Sequence, residues 1–334
     1  MTLINNTRLV VILGPTSTGK TDLALNLAKK FNGELLSCDS RQVYRGLDIG
    51  TGKYPNLNIK YQISNIKKRK AHWEIEGVKI SMYDVADPKK QYTVYDFIKD
   101  ATPIIDDILK RGKLPIIVGG TGLYLKALLE GIPNLGIPAS EKLRMQLQKL
   151  SKDELQGKLQ QIAPDRWERM NYSDRQNPRR LIRAIEIVIQ LTVNKLRTQD
   201  DKGRSQNDTY VLKIGLTAPR DILYQRIDKR VIIRVNQGMI DEAQQLHKRG
   251  LSLKRMRQLG LEYGVLADFL EGKIKSKEEL IKVLQGKIHG FARRQLTWFK
   301  KEKNVSWVDT EGRNYFQKVE NLICKWYDNP INVA

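Results

Sequence analysis

The chain has 334 residues, more than one average domain needs, and its 59 Lys+Arg against 37 Asp+Glu give a formal net charge of +22. So large an excess, mixed with acids along the whole chain, excludes an acidic solvating chain and a simple basic tail. It points to a polyanionic partner, nucleic acid first, with a lysine-rich solvated surface as the alternative.

The elements follow in chain order. Leu9–Leu13 (LVVIL) is a continuous apolar run of strand length, too short for a secretory core or a membrane span. It runs into GPTSTGKT, residues 14–21, and then into an amphipathic helix, TDLALNLAKKF. Next comes ELLSCDS (Glu34–Ser40), a short strand with Asp39 at its carboxyl end, the edge that faces ligand in open α/β sheets. Residues 53 to 80 show no clear period beyond a hairpin around WEIEGVKI. A helix through TVYDFIKDATPIIDDILKRG is predicted to be interrupted near Pro103. A second buried strand, Leu114–Val118, ends in glycines and enters another helix.

Beyond the turn Ile132–Pro138 the chain turns helical and charged, with no strand candidate until YVLKIGL at 210–216. The polar loop QDDKGRSQND closes that stretch. A basic helix, PRDILYQRIDKRVIIRV, follows, then further helices to HGFARRQLTWFKKEK and a last strand near WVDT. The fold expected is α/β, a P-loop NTPase-like doubly wound parallel sheet with a helical insertion domain. Its core is expected over 1–131 and 209–334, and the insertion over 132–208.

GPTSTGKT matches GxxxxGK[ST] in full. Backbone amides of such a turn and the following helix N-terminus face phosphates. Gly14, Thr16, Ser17, Thr18, Gly19, Lys20 and Thr21 are therefore the candidate phosphate cradle, with Lys20 as a point charge and Thr21 as a Mg²⁺ ligand. Motor ATPases end a second apolar strand in an aspartate that holds Mg²⁺; the best match here, Leu114–Val118, ends in glycines and Thr121 instead, although Asp39 after LLSC could substitute as the metal ligand. Asp39 better suits a general base, or else a helix N-cap before SRQVY. Arg220, Arg226 and Arg230 lie on one helix, where they could close over leaving phosphates or simply form a solvated face with Asp221 and Asp228. Arg293, Arg294 and Lys300 beside Trp298 and Phe299 suit a surface that tracks RNA and stacks bases, while the aromatics alone would fit a core. Cys38 and Cys324 are far apart and offer neither a disulfide framework nor a CxxC metal site, which fits a reducing compartment.

Taken together, GPTSTGKT, SCDSRQVYRGLDIGTGK (Ser37–Lys53), VGGTGLYLKALLEG (Val118–Gly131), DRQNPRRLIRAIE (Asp174–Glu186) and RRQLTWFK (Arg293–Lys300) resemble the tRNA dimethylallyltransferases, or tRNA isopentenyltransferases, of bacterial type. The resemblance implies that the cradle holds the diphosphate of dimethylallyl diphosphate and that a carbon–oxygen bond breaks. The attacking group it implies is the exocyclic N6 amine of the adenosine 3′ to the anticodon, in tRNAs that read codons beginning with U. By the same resemblance Asp39 is the general base. Lys20, Thr21 with Mg²⁺ and Arg226 neutralise the departing diphosphate. Ser37, Ser40, Gln42 and Thr121 attend the adenine, Arg180 and Arg294 belong to the tRNA surface, and the helical insertion grips the anticodon stem-loop. A cytoplasmic, monomeric protein with no membrane association is the corresponding expectation. Unlike its relatives, the chain has no histidine between His72 and Asp84, and its stretch 54–79 is longer and more basic. Alternatives from other classes are a prenyltransferase acting on free AMP or ATP, a small-molecule kinase, and an RNA-binding protein whose cradle only regulates binding.

Overall fold

The computed structural model describes residues 7–54, 66–193 and 209–328. The loop QDDKGRSQND and much of the basic stretch 54–79 lie outside the described residues. The chain divides into two compact units, one of residues up to Leu129 and from Asn207 onward, the other Glu130–Gln206.

The first unit is built on an eight-stranded sheet in the order β3-β4-β5-β2-β6-β1-β7-β8. β1 (Thr7–Leu13) lies between β6 (Leu114–Val118) and β7 (Thr209–Thr217), parallel to both, with Val10 opposite Ile116 and Val11 opposite Lys213. Its side chains alternate between two cores: Val10 and Ile12 pack on one face of the sheet, Leu9, Val11 and Leu13 on the other. A strand buried on both faces reads as an unbroken apolar run, as LVVIL does. β2 (Gly33–Ser37) pairs parallel with β6, and β8 (Val305–Asp309) with β7.

The other edge departs from an all-parallel sheet. β3 (Ile66–Arg69), β4 (His72–Ile75) and β5 (Val78–Ser81) form an antiparallel meander, with β5 joining β2 in parallel. WEIEGVKI is its second hairpin; β3, IKKR, was not visible in the sequence because an edge strand with three exposed basic residues has no apolar alternation.

α1 (Lys20–Lys30) starts on the cradle, and α2 (Val94–Lys110) starts on a capping box between Thr93 and Asp96. α2 runs through Pro103 without a break, contrary to the interruption predicted there. Proline removes one helical hydrogen bond, but the buried stripe Phe97, Ala101, Ile105 and Ile108 holds the helix against the sheet on both sides of it. After β6 comes α3 (Gly122–Leu129). The C-terminal helices α9 (Arg220–Asn236), α10 (Met239–Lys248), α11 (Leu253–Leu259), α12 (Leu261–Leu270) and α13 (Lys277–Phe299) share a third core with Val43 and Leu47, and α14 (Tyr315–Asp328) covers one sheet face.

The second unit is helical: α4 (Glu141–Leu147), α5 (Lys152–Ile162), α6 (Pro164–Arg169), α7 (Tyr172–Arg175) and α8 (Pro178–Val193) close over Leu155, Leu159, Leu181 and Ile185. At its centre the fully buried Glu186 carboxylate accepts two bonds from Arg144, both at 2.9 Å, one from Arg183 at 2.6 Å and one from the Ser140 amide at 2.7 Å. Arg183 also donates to the Ile137 carbonyl at 2.7 Å, so it braces this unit from inside. Arg180 is exposed and ion-pairs with Asp174.

Candidate active site

The carboxyl ends of β1, β2 and β6 converge on a cavity of about 430 Å³. Its floor is the GPTSTGKT turn. Gly14 takes φ 138°, and a Cβ there would stand 2.3 Å from the Leu216 carbonyl of the neighbouring strand, so only glycine fits the entry to the turn. Gly19 takes φ 77° and begins α1 without any side-chain cap, leaving the first-turn amides directed at the cavity. Thr18 is buried and donates its hydroxyl to the Pro15 carbonyl at 2.9 Å, which braces the turn from within; Lys20 Nζ donates to the same carbonyl at 2.5 Å. Burial first, then the charge of Arg230, pushes the Lys20 ammonium down to about 7 against the pull of Asp39. A lysine so placed gains from any anion entering the cradle.

Asp39 follows β2 and lines the same cavity. Its Oδ1 accepts from the amides of Arg41 at 2.8 Å and Gln42 at 3.3 Å, so the capping interaction expected as its structural role is present. One carboxylate thus both holds the turn and faces the cradle. Of the residues assigned to the adenine, Gln42 lines the cavity, accepting from the Ser37 hydroxyl at 2.7 Å and donating to the Thr51 and Gly52 carbonyls at 3.4 and 3.3 Å. Ser37 itself is buried beneath it, and Thr121 Oγ1 accepts from the Ser40 amide at 3.0 Å, tying the β2 turn to the β6 turn.

The arginines of α9 divide by position. Arg220 is exposed at the helix start. Arg226 lines the cavity, donates to Thr310 Oγ1 at 2.8 Å and ion-pairs with Glu311. Arg230, one turn on, lies nearest the cradle, with Nη1 3.2 Å from Thr16 Oγ1 and 3.3 Å from Ser17 Oγ. Arg294 is exposed on α13, its guanidinium 6.0 Å from the Phe291 ring.

Two features of the site lie in segments that carried the resemblance, RRQLTWFK and DIGTGK, but were given no role from the sequence. Gln295, buried on α13, accepts from the Thr16 amide at 2.9 Å and donates to the Gly120 carbonyl at 2.9 Å, joining the two glycine turns. Gly120 must lack a side chain here, since a Cβ would meet Gln295 Nε2 at 2.2 Å. The second feature is the frame under DIGTGK. Lys53 is fully buried and donates to the Tyr44 carbonyl at 2.7 Å, Asp48 at 2.8 Å and Asp84 at 2.5 Å. Glu242 of α10 accepts from the amides of Asp48, Ile49 and Gly50 at 2.9, 2.7 and 3.0 Å and from the Tyr263 hydroxyl at 2.5 Å. This stretch is a scaffold, and it places Thr51 and Gly52 on the cavity wall.

No group of three or more His, Cys, Asp or Glu side chains gathers as a metal site among the described residues. Among the oxygen-bearing side chains that line the cavity, the Thr21 hydroxyl and the Asp39 carboxylate, with Asp22 beside them, are hard donors that suit a cation sharing its shell with phosphate oxygens and water. No helix among the described residues is long and apolar enough to cross a membrane.

The IPP transferase family model matches residues 42–302 and the isopentenyl transferase model residues 7–63. The chain is 41% identical over 307 residues to a tRNA dimethylallyltransferase 2 of Treponema denticola, covering 90% of this chain and 95% of that one. To the tRNA dimethylallyltransferase of Halalkalibacterium halodurans it is 38% identical, covering 94% and 95%. Among solved structures, the tRNA isopentenylpyrophosphate transferase of Bacillus halodurans superposes with a TM-score of 0.66 at 36% identity over 96% of each chain. A eukaryotic dimethylallyltransferase acting on tRNA shares the fold, with a TM-score of 0.77 at 24% identity, over 98% of this chain and 81% of that one. With the cradle, the turn carboxylate and these likenesses in place, the chain belongs to the IPP transferase family.

Proposed function

We propose that the protein transfers the dimethylallyl group of dimethylallyl diphosphate to the N6 amine of the adenosine 3′-adjacent to the anticodon in tRNAs that read codons beginning with U. The observation that carries this reading is the placement of a free-standing phosphate cradle and the Asp39 carboxylate on one cavity. A small-molecule kinase would share the cradle and the closing arginines but leaves the DIGTGK segment and the net charge unexplained. The net charge of +22 and the basic helical unit Glu130–Gln206 supply what a phosphate-rich acceptor requires.

In the reaction the N6 lone pair attacks C1 of the prenyl group and the C1–oxygen bond breaks, its electron pair leaving with diphosphate. An adenine amine is a weak nucleophile because its lone pair is shared with the ring, so the step gains from removal of the N6 proton as the bond forms. Asp39 takes that proton through the carboxylate oxygen that the turn amides leave open. Lys20, the first-turn amides of α1, Arg230 and Arg226 stabilise charge as it develops on the diphosphate. Thr21 would hold Mg²⁺, which when bound neutralises phosphate oxygens. The target adenosine must leave its stack to reach the cavity, at a cost of roughly a few kcal/mol that backbone contacts offset.

The test is transfer of label from dimethylallyl diphosphate, with Mg²⁺, to an unmodified tRNA, AMP and ATP in parallel, with Asp39→Ala as control. Label in tRNA alone, lost in the variant, is the expected result. Label in AMP or ATP would assign the free-nucleotide acceptor instead, and ATP hydrolysis without transfer would overturn prenyl transfer.

A further inference from the structure

Arg226, Arg230 and Arg234 recur at four-residue spacing along α9, and the site described so far leaves the third unused. Arg234 is 7% exposed and lines the same cavity. Its Nη1 donates to the Gly50 carbonyl at 3.2 Å. The nearest carboxylate, Glu262 Oε1 on α12, stands 3.9 Å away, outside hydrogen-bond reach, and Arg234 Nη2 has no hydrogen-bond partner.

Gly52 shows where that nitrogen points. A Cβ built on Gly52 would stand 1.6 Å from Arg234 Nη2 and 2.3 Å from Arg230 Nη2, which puts the two nitrogens within about 4 Å of each other. Two guanidinium groups therefore meet, buried, over the one glycine that leaves them room. Burial first, and then the charge of Arg230, pushes Arg234 down to about 9, with Glu262, Tyr263 and Glu242 pulling it back. Buried like charges at this separation are stable when an anion lies between them.

We propose that Arg234 is a phosphate ligand, forming with Arg230 a two-guanidinium clamp on the diphosphate of the prenyl donor, and that Glu262 positions it. The inference rests on the diphosphate reading above. Phosphoryl oxygens could also come from the RNA backbone. The donor is favoured because Arg230, the other half of the clamp, is bonded to the cradle residues Thr16 and Ser17, and because Arg234 is buried where backbone contacts to RNA are made at the surface. Gly52 then has a chemical purpose: any side chain there would fill the space between the two guanidinium groups.

The experiment is titration calorimetry of the full-length protein with inorganic diphosphate and Mg²⁺, without tRNA, alongside filter binding of tRNA at two salt concentrations. Wild type and Lys20→Ala come first. If wild type does not bind diphosphate, or Lys20→Ala binds as well as wild type, the cradle reading itself falls. With that control passed, Arg234→Gln and the double variant Arg234→Gln/Glu262→Gln are compared; the double variant removes the buried charge pair as a unit and so keeps the fold. Diphosphate binding weakened roughly tenfold to a hundredfold in both, with tRNA affinity within about twofold of wild type, is the expected result. Recovery of diphosphate affinity in the double variant would show that Arg234 serves only as the partner of Glu262 and would overturn the proposal. So would unchanged diphosphate binding with weaker tRNA binding and a shallower salt dependence, which would assign the phosphate to RNA.

Discussion

The side-chain amide of Gln295 accepts the backbone N–H of Thr16 at 2.9 Å, across 279 residues of sequence, and its other end holds Gly120. The cradle is therefore fastened to the β6 turn by one buried side chain. Gln295→Ala leaves the Thr16 amide and the Gly120 carbonyl without partners and should lower stability by about 1–3 kcal/mol. Because the cradle loosens, the KM for the prenyl donor should rise more than the KM for tRNA. Gln295→Glu keeps the acceptor but loses the donor and adds a negative charge to the cradle, so donor titrations should show it weakened at least as much as alanine.

Lys20 makes donor binding a proton-linked event. Its ammonium sits at about 7 in the free protein against an ordinary value of 10.5, and an anion in the cradle favours the charged form. Diphosphate binding above pH 7 should therefore take up protons, and affinity should fall as the pH rises from 7. Calorimetry in two buffers of different ionisation enthalpy measures the uptake, which Lys20→Met should abolish. Stability of the free protein follows the opposite sense. The folded value lies below the unfolded one, so the unfolded chain holds the extra proton between about 7 and 10.5 and this lysine's destabilising contribution is relieved as the pH rises through that window.

Asp39 can be divided into its two roles. Asn at this position retains the Oδ1 that accepts from Arg41 and Gln42 but cannot take a proton from the acceptor amine. Asp39→Asn should fold as wild type and lose on the order of 10²–10⁴ in kcat. Asp39→Ala should add a stability loss of roughly 0.5–1.5 kcal/mol from the turn. Equal kcat in Asp39→Asn and wild type, measured by single-turnover transfer, would show that Asp39 only shapes the turn.

Lys53 is the scaffold residue with the largest expected stability effect. Lys53→Met removes the buried cation shared by Asp48 and Asp84, leaving Asp48 with Lys68 and Asp84 with the Trp73 indole N–H, and should cost about 3 kcal/mol, read by urea denaturation at pH 7. Burial alone would raise the Asp48 carboxyl, but Lys53 and Lys68 outweigh it and hold it below its ordinary 3.8. The stabilisation is therefore present above about pH 4 and lost as the pH falls through the lower folded value, so the gap between variant and wild type should narrow in acid.

What could be read from the chain alone was what local order determines. The cradle needs strand, glycine turn and helix in one continuous stretch, and LVVIL-GPTSTGKT-TDLALNLAKKF states all three. Asp39 could be placed at a sheet edge because β2 ends two residues before it. The missing parts are long-range or look ordinary. Gln295 is a polar residue inside a basic helix, and only the packing of α13 on two glycine turns gives it partners. Arg234 follows Arg230 at the spacing that any solvated helix face would show, and its burial depends on Gly52 having no side chain. Pro103 signals a break, yet the buried stripe of α2 outweighs the single lost hydrogen bond.

α13 carries Phe291 under the Arg41 guanidinium at 5.0 Å, Gln295 between the glycine turns, and Trp298 against Gly122, where a Cβ would stand 2.1 Å from its indole nitrogen. These contacts lie on one continuous 23-residue helix. A rod that rotates or slides does so at all three points together, so the cradle, the turn after Asp39 and the mouth of α3 keep a common registry. A displacement of the whole helix therefore cannot loosen the site at one end alone: unlike truncation of one contacting side chain, a substitution that shifts α13 itself moves the donor side and the acceptor side together and should alter both substrates' KM values in step.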